Sequence, residues 1–439
     1  MKSHLYHHLS RFFYEEQYPE NYTKGMIILR DEELSRDFPV ADEIILGQKI
    51  PEDLRPIALA YGGHQFGHYT RLGDGRAVLL GEIEKKGILY DIQLKGSGRT
   101  AFSRRGDGKG TYSSMVREYI HSHFMNAMGI PSTMSLAVGV TGEEVYRRMA
   151  EEGGVLCRIA TSHIRIGTFE YAYEAGGIEK VKELADYVRS RYYPDKDYLS
   201  LLEEIGRKQA RMIAHWMAIG FIHGVMNTDN MSIVGETIDY GPCAYMERYV
   251  PSQVFSSIDT FGRYAYDKQG IIGQWNYSRL AIVLLELIEQ SGQGNRKDVQ
   301  QLVDDFIQWF QEDYQDFMAE KIGFHEQKPE LVREVLELME IKELDYTETF
   351  VKLMEDRLED PWVEKWKKEF PDKKLMEKVN PRIIPRNKVV EELLERRDPK
   401  EIEEYLRYIK NPYGENIPEK FQKKMTKEEL RQYQTFCGT

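Results

Sequence analysis

Five residues in this 439-residue chain have the types and the order needed to move a phosphate-bearing group: Lys95, Glu118, Asp229, Asn230 and Asp239. A lysine amine neutralises phosphate, and an acid on the next element can hold that amine in place. Carboxylate and amide oxygens at two neighbouring turns suit a hard divalent cation that also binds phosphates. Lys95 ends the strand-like run DIQLK, and Glu118 lies in the helix-patterned SMVREYIHSHFMNAMG. Asp229 and Asn230 stand in HGVMNTDN and Asp239 in IDYG, with a short β pair expected between them. Singly, each is an ordinary solvated group or turn former; their joint order is the signal.

The loop between Lys95 and Glu118, GSGRTAFSRRGDGKGTYSS, looks like a phosphate cradle but fits neither standard pattern. A Walker A loop needs Ser or Thr directly after Gly-Lys to ligate the metal, and here Gly108-Lys109 is followed by Gly110. A dinucleotide fingerprint needs a third glycine where Ala101 stands. Ordinary kinases precede the catalytic aspartate with His-Arg and place the metal-binding asparagine several residues later, whereas Asp229 and Asn230 are adjacent. A relative of phosphoryl transfer is therefore favoured over plain kinase chemistry. His64 and His68 in GGHQFGH have glycines beside them and no third ligand close by, so they read as loop packing or substrate-edge groups.

Residues from about 40 to 95 alternate short β-rich runs with Gly and Asp-Gly punctuation, which predicts a small mixed sheet. Met115, Tyr119, Ile120 and Phe124 recur at helical spacing until Gly129 and Pro131 stop the run. MSLAVGVTGEEVYR and GGVLCRIATSHIRIG return to strand character. Beyond Asp197 a long amphipathic helix is predicted, with Leu201, Ile205, Met212, Ile213, Trp216 and Ile219 as its buried stripe, followed by further helices with acidic outer faces.

Composition excludes several classes. A net charge of −12 argues against a protein that coats nucleic acid. The longest apolar run, Leu280 to Leu285, is far short of the roughly 20 residues a membrane helix needs, and the N-terminus lacks a signal-like apolar core. Three scattered cysteines, Cys157, Cys243 and Cys437, suit a reducing compartment, and a cytoplasmic protein is expected.

The stretches YGGHQFGHYTRLGDGRAVLLGE, LKGSGRTAFSRRGDGKGTYSSMVREYI, RIATSHIRIGTFEY, HGVMNTDNMSIVGETIDYGP and FGRYAYDKQ resemble the selenoprotein O family, also called YdiU, of kinase-like proteins. The motifs are long and specific from Ala58 to Gln269; the C-terminal part matches loosely, through NPRIIPRN and the tail cysteine. The resemblance implies an α+β, protein-kinase-like fold of two lobes. Residues 1–170 would form the smaller β-rich nucleotide lobe, and 171–439 the larger, mainly helical lobe carrying metal and catalytic residues. It further implies transfer of AMP from ATP, with Mg²⁺ or Mn²⁺, to Ser, Thr or Tyr hydroxyls of protein substrates, the nucleotide lying inverted relative to kinases.

Carried onto this chain, Gly73, Gly75, Arg76, Lys95, Asp107, Gly108, Arg158 and Arg165 are the implied nucleotide contacts, joined by Asp239 through the metal. Asp229 is the implied proton acceptor, Asn230 and Asp239 the metal pair, and Glu118 the partner of Lys95. Arginine forks suit the α-phosphate and the departing pyrophosphate. At an ordinary carboxylate pKa of about 3.9, Asp229 would mainly orient the hydroxyl and take its proton late. Protein uridylyltransfer, kinase-type phosphotransfer and a non-catalytic nucleotide-binding scaffold are the alternatives. Cys437 stands where family members carry selenocysteine or cysteine, which raises a disulfide with Cys243 as a redox gate.

Overall fold

The computed structural model describes residues 1–147 and 149–436. The strands are β1 (Tyr14–Glu16), β2 (Met26–Arg30), β3 (Ile57–Leu59), β4 (Gly62–Gln65), β5 (His68–Arg71), β6 (Ala77–Lys85), β7 (Ile88–Lys95), β8 (Gly110–Thr111), β9 (Met134–Tyr146), β10 (Ala150–Ala160), β11 (Phe221–Ile222) and β12 (Ala244–Tyr245). Eight of them form one sheet in the order β1-β3-β6-β7-β10-β9-β2, with β8 beside β10. The fold is α+β. The sheet is larger than the small mixed sheet expected over 40–95, reaching from Tyr14 to Ala160, and its strands pair antiparallel throughout. Tight hairpins such as Lys85 to Ile88 permit this, since antiparallel neighbours need no crossover.

Alternation along β7 decides what each face of the sheet does. Ile92 and Leu94 point into a core with Val78, Leu80, Cys157, Ile159, Phe38 and Ile45. Asp91, Gln93 and Lys95, at period two, share the opposite face, and all are buried. That face receives the helix Tyr112–Ala127. Thr111 starts the helix: its Oγ1 accepts from the Ser114 amide at 3.2 Å while Ser114 Oγ accepts from the Thr111 amide at 3.2 Å. Gly129, at φ +72°, ends it. The predicted stripe Met115, Tyr119, Ile120 and Phe124 is fully buried.

A long helix, Ile166–Tyr192, which the sequence reading did not assign, follows β10 and is kinked at Gly177, where φ is +69°. Next comes Tyr198–Ala218, capped by Asp197 accepting from the Ser200 amide at 2.8 Å, with its predicted stripe buried. The helices Gln269–Gln290 and Arg296–Lys321 pack against it. After β12 every regular element among the described residues is a helix. No helix among the described residues is long and apolar enough to cross a membrane.

The last described residues return to the middle of the molecule. Thr435 donates from Oγ1 to the Pro242 carbonyl at 2.6 Å and from its amide to the Phe255 carbonyl at 2.8 Å. Arg117, next to Glu118 on its helix, donates to the Cys243 carbonyl at 2.6 Å, to Glu391 at 2.8 Å and to the Tyr433 hydroxyl at 3.4 Å.

Candidate active site

β7 and β10 pair with Arg158 opposite Gln93, so Lys95, Gln93 and Arg158 project from the same face toward the helix that carries Glu118. Lys95 Nζ lies 2.6 Å from Glu118 Oε2 and 2.5 Å from Asp239 Oδ1. Arg158 Nη1 is 3.1 Å from Glu118 Oε1 and 3.1 Å from the same Asp239 oxygen. Gln93 Oε1 accepts from Arg158 Nε at 3.0 Å and fixes the plane of the guanidinium. Three of the five residues that define the expected chemistry, Lys95, Glu118 and Asp239, thus meet in one ion cluster with Arg158, and the expectation that Glu118 pairs with Lys95 matches this geometry.

Asp239 holds the exposed corner of the cluster, with its side chain 25% accessible against 7% or less for its three partners. Its backbone sits at φ +65°, a strained conformation for a residue with a Cβ. Burial would raise its pKa, but Lys95, Arg158 and Arg165 together hold the carboxyl well below the usual range. Tyr240, the next residue, is anchored by a hydroxyl contact to Ser132.

Asp229 presents the opposite condition. It lies in the short turn Thr228–Asn230, and its Oδ1 is buried without a hydrogen-bond partner. Burial pushes its carboxyl up to about 7, against the pull of Arg165. The ordinary carboxylate pKa assumed from sequence is thereby corrected, and a group near 7 is a far better proton acceptor at neutral pH. Arg165 carries a matching orphan: its Nε is buried and unpartnered, while its guanidinium stacks 4.3 Å over the Tyr61 ring and lies 3.6 Å from Asp74.

Asn230 donates from Nδ2 to the Val225 carbonyl at 3.0 Å, which leaves its amide oxygen as the available ligand atom. Hard oxygens from Asn230 and Asp239, beside the unpartnered oxygen of Asp229, are a donor set that Mg²⁺ or Mn²⁺ would accept. The residues present therefore fit such an ion.

The glycine residues serve close backbone approach. A Cβ on Gly73 would lie 2.4 Å from the Phe102 ring, and Gly75 faces the Phe102 carbonyl. Thr100 Oγ1 donates to the Asp74 carbonyl at 2.6 Å, and the Gly96 amide to the Arg76 carbonyl at 2.8 Å, so the LGDGR turn is braced against the glycine-rich loop. Gly108, at φ +72°, would strike the Gly98 carbonyl at 2.1 Å if it had a Cβ. Asp107 is turned to the other side, where both oxygens take 2.8 Å bonds from Arg147, which hold its carboxyl down to about 2. The Asp107 carboxylate is thus not brought into the Lys95 cluster.

Among the described residues one His/Asp/Glu cluster has metal-like spacing, His4, Glu82 and Asp91. Arg191 already bridges its two carboxylates, with Asp91 Oδ1 at 2.8 Å, so the positive charge that an ion would bring is supplied by the chain. Cys243 is buried, donates to the Tyr240 carbonyl at 3.2 Å, and has its thiol pushed up to about 12 by burial. The contemplated pairing with Cys437 lies outside the described residues.

Sequence reasoning missed Asp74, Gln93, Tyr61 and Glu170. Gln93 had a signal: it keeps the two-residue parity of Asp91 and Lys95 in an otherwise apolar strand. His64 Nδ1 lies 2.5 Å from Glu170 Oε1.

Comparisons with known proteins give the class of enzyme to which this chain belongs. The family described as "Protein adenylyltransferase SelO" matches residues 3–405. "Protein nucleotidyltransferase YdiU" of Clostridium botulinum strain Alaska E43 is 42% identical over 471 residues, covering 98% of this chain and 96% of that protein. The proteins of the same name from Halalkalibacterium halodurans and Bacillus cytotoxicus are 43% and 45% identical over 428 residues, covering 90% of this chain and 87% of each relative. The protein is an enzyme, a nucleotidyltransferase. It belongs to the SelO/YdiU family.

Proposed function

We propose that the enzyme transfers AMP from ATP to Ser, Thr or Tyr hydroxyls of proteins and releases pyrophosphate, using a kinase-like arrangement in which residues 1–170 bind the nucleotide and 171–439 carry Asp229, Asn230 and Asp239. The observation that carries this reading is the pairing of a cation cluster, Lys95 and Arg158 on Glu118 and Asp239, with a buried acid, Asp229, whose Oδ1 has no hydrogen-bond partner.

In this reading Lys95, Arg158 and Arg165 take the phosphate charge, and Gly73, Gly75, Arg76, Asp107 and Gly108 belong to the walls that seat the nucleotide. Asn230 and Asp239 would hold Mg²⁺ or Mn²⁺, which neutralises phosphate oxygens. The acceptor hydroxyl oxygen attacks the α-phosphorus while its proton passes to Asp229. The bond from the α-phosphorus to the bridging oxygen breaks, and pyrophosphate leaves with that electron pair. Asp229 suits the task because a base near pH 7 matches the operating pH. Fixed charges account for most of the acceleration.

The test is incubation of the purified protein with ATP labelled at the α- or the γ-phosphate, with Mg²⁺ or Mn²⁺, reading label on the protein itself and on added protein acceptors. Transfer of the α label alone is expected. Transfer of the γ label alone overturns the reading in favour of phosphotransfer, and stronger labelling from UTP than from ATP overturns the choice of AMP.

A further inference from the structure

Asp229 is covered by a piece of chain outside the large sheet. β4 and β5 pair only with each other, as a ribbon from Gly62 to Arg71. Its first strand lies directly on the catalytic turn: a Cβ on Gly63 would stand 2.3 Å from Asp229 Oδ1. A Cβ on Gly167 would likewise stand 2.0 Å from the Gly62 carbonyl and 3.3 Å from Asp229 Cα. Glycine at these positions lets two backbones and one carboxylate occupy a space that any side chain would fill.

One buried carboxylate ties the first strand of the ribbon to the turn that carries Asp229. Glu170, on the helix Ile166–Tyr192, is 3% exposed. One of its oxygens takes the Thr228 hydroxyl at 2.5 Å and the other contacts His64 Nδ1 at 2.5 Å. The Thr228 oxygen in turn accepts the His64 amide at 2.7 Å. Thr228 precedes Asp229 in the chain, so ribbon, turn and helix close into one ring of hydrogen bonds. The ribbon tip is fastened separately, with the Phe66 amide 3.2 Å from both Asn227 Oδ1 and the Tyr264 hydroxyl. None of these bonds involves Lys95, Arg158, Glu118 or Asp239.

We propose that Glu170, through His64 and Thr228, is a clasp that holds the ribbon closed over Asp229, and that these three are positioning residues for the transfer step with no part in nucleotide binding. This rests on the reading of Asp229 as the proton acceptor. Small displacements of a reacting group cost up to about 10²-fold in rate. A clasp that sets the place of Asp229 should therefore appear in kcat and leave nucleotide affinity alone.

The experiment compares Thr228→Val, Thr228→Ser and Glu170→Gln with the full-length parent, measuring kcat for transfer, equilibrium binding of a fluorescent ATP analogue, and hydrogen exchange of amides 62–71. Expected are a loss of about 10- to 100-fold in kcat for Thr228→Val and Glu170→Gln, analogue affinity within about twofold of the parent, and recovery in Thr228→Ser, which keeps the hydroxyl. Exchange of the ribbon amides should speed up in the first two variants and return to the parent rate in the third. An unchanged kcat, a parallel loss of analogue affinity, or no recovery in Thr228→Ser overturns the positioning role. Unchanged exchange over 62–71 in Glu170→Gln overturns the clasp. Because exchange needs no turnover, it judges the clasp even if the parent moves no AMP, in which case the reaction reading fails by itself.

Discussion

One strand carries two buried ion clusters, and they differ in their exposure to solvent. At Asp91 the charges are closed off. Arg191 bridges Glu82 and Asp91, Tyr6 donates to Asp91 at 3.0 Å, His163 lies 3.0 Å away, and the side chains of Glu82, Asp91, His163 and Arg191 are each 4% exposed or less. Four residues on, at Lys95, the cluster is balanced but open, because Asp239 is a quarter exposed. Burying charge is costly in both places. The first cluster is sealed from solvent and so acts as structure, while the second presents the Asp239 carboxylate at its edge, where the proposed phosphate and metal would bind.

The largest effect should come from opening the closed cluster. Arg191→Met leaves two buried carboxylates without their counter-charge and should cost about 3–5 kcal/mol of stability. The check is denaturant unfolding, with nucleotide binding per folded molecule preserved; a loss below about 1 kcal/mol would erase the contrast. Asp239→Ala removes the exposed corner of the open cluster and should lower turnover by at least on the order of 10²-fold. Its unfolding midpoint should shift less than that of Arg191→Met, since Lys95 and Arg158 keep Glu118.

Gly63→Ala sharpens the comparison from the side of Asp229. The new methyl would stand 2.3 Å from Asp229 Oδ1, so turnover should fall about tenfold or more while analogue binding is retained. The smallest effect belongs to Asp107, paired with Arg147 but 42% exposed. Asp107→Asn should cost under about 1 kcal/mol. The Asp107 carboxyl is lowered from 3.8 to about 2, so its contribution is full above about pH 4 and disappears as pH falls through about 2. A pH-stability curve of the variant should therefore converge on the parent only in strong acid.

The site was legible where chemistry depends on residue type and order. Lys95 and Glu118 are charged residues in an apolar or patterned setting and pair as expected, whereas their joining with Arg158 and Asp239 in one ion cluster was not anticipated. What escaped depends on tertiary packing. The helix Ile166–Tyr192 contains Gly176 and Gly177, which read as a break, yet packing tolerates them as a kink. Glu170 looks like any surface acid until that helix turns it under the ribbon. The raised pKa of Asp229 is likewise a property of its covering, which no local pattern records. The sheet was underestimated because β1, β2, β9 and β10 join it from distant parts of the chain.

The grip of Tyr433 on Arg117 spans 316 residues. The helix that presents Glu118 to Lys95 is therefore seated on a support synthesised long after it. On the ribosome, at roughly 5–20 residues per second, that helix waits many seconds for its last contact, and until then it lacks the brace behind it.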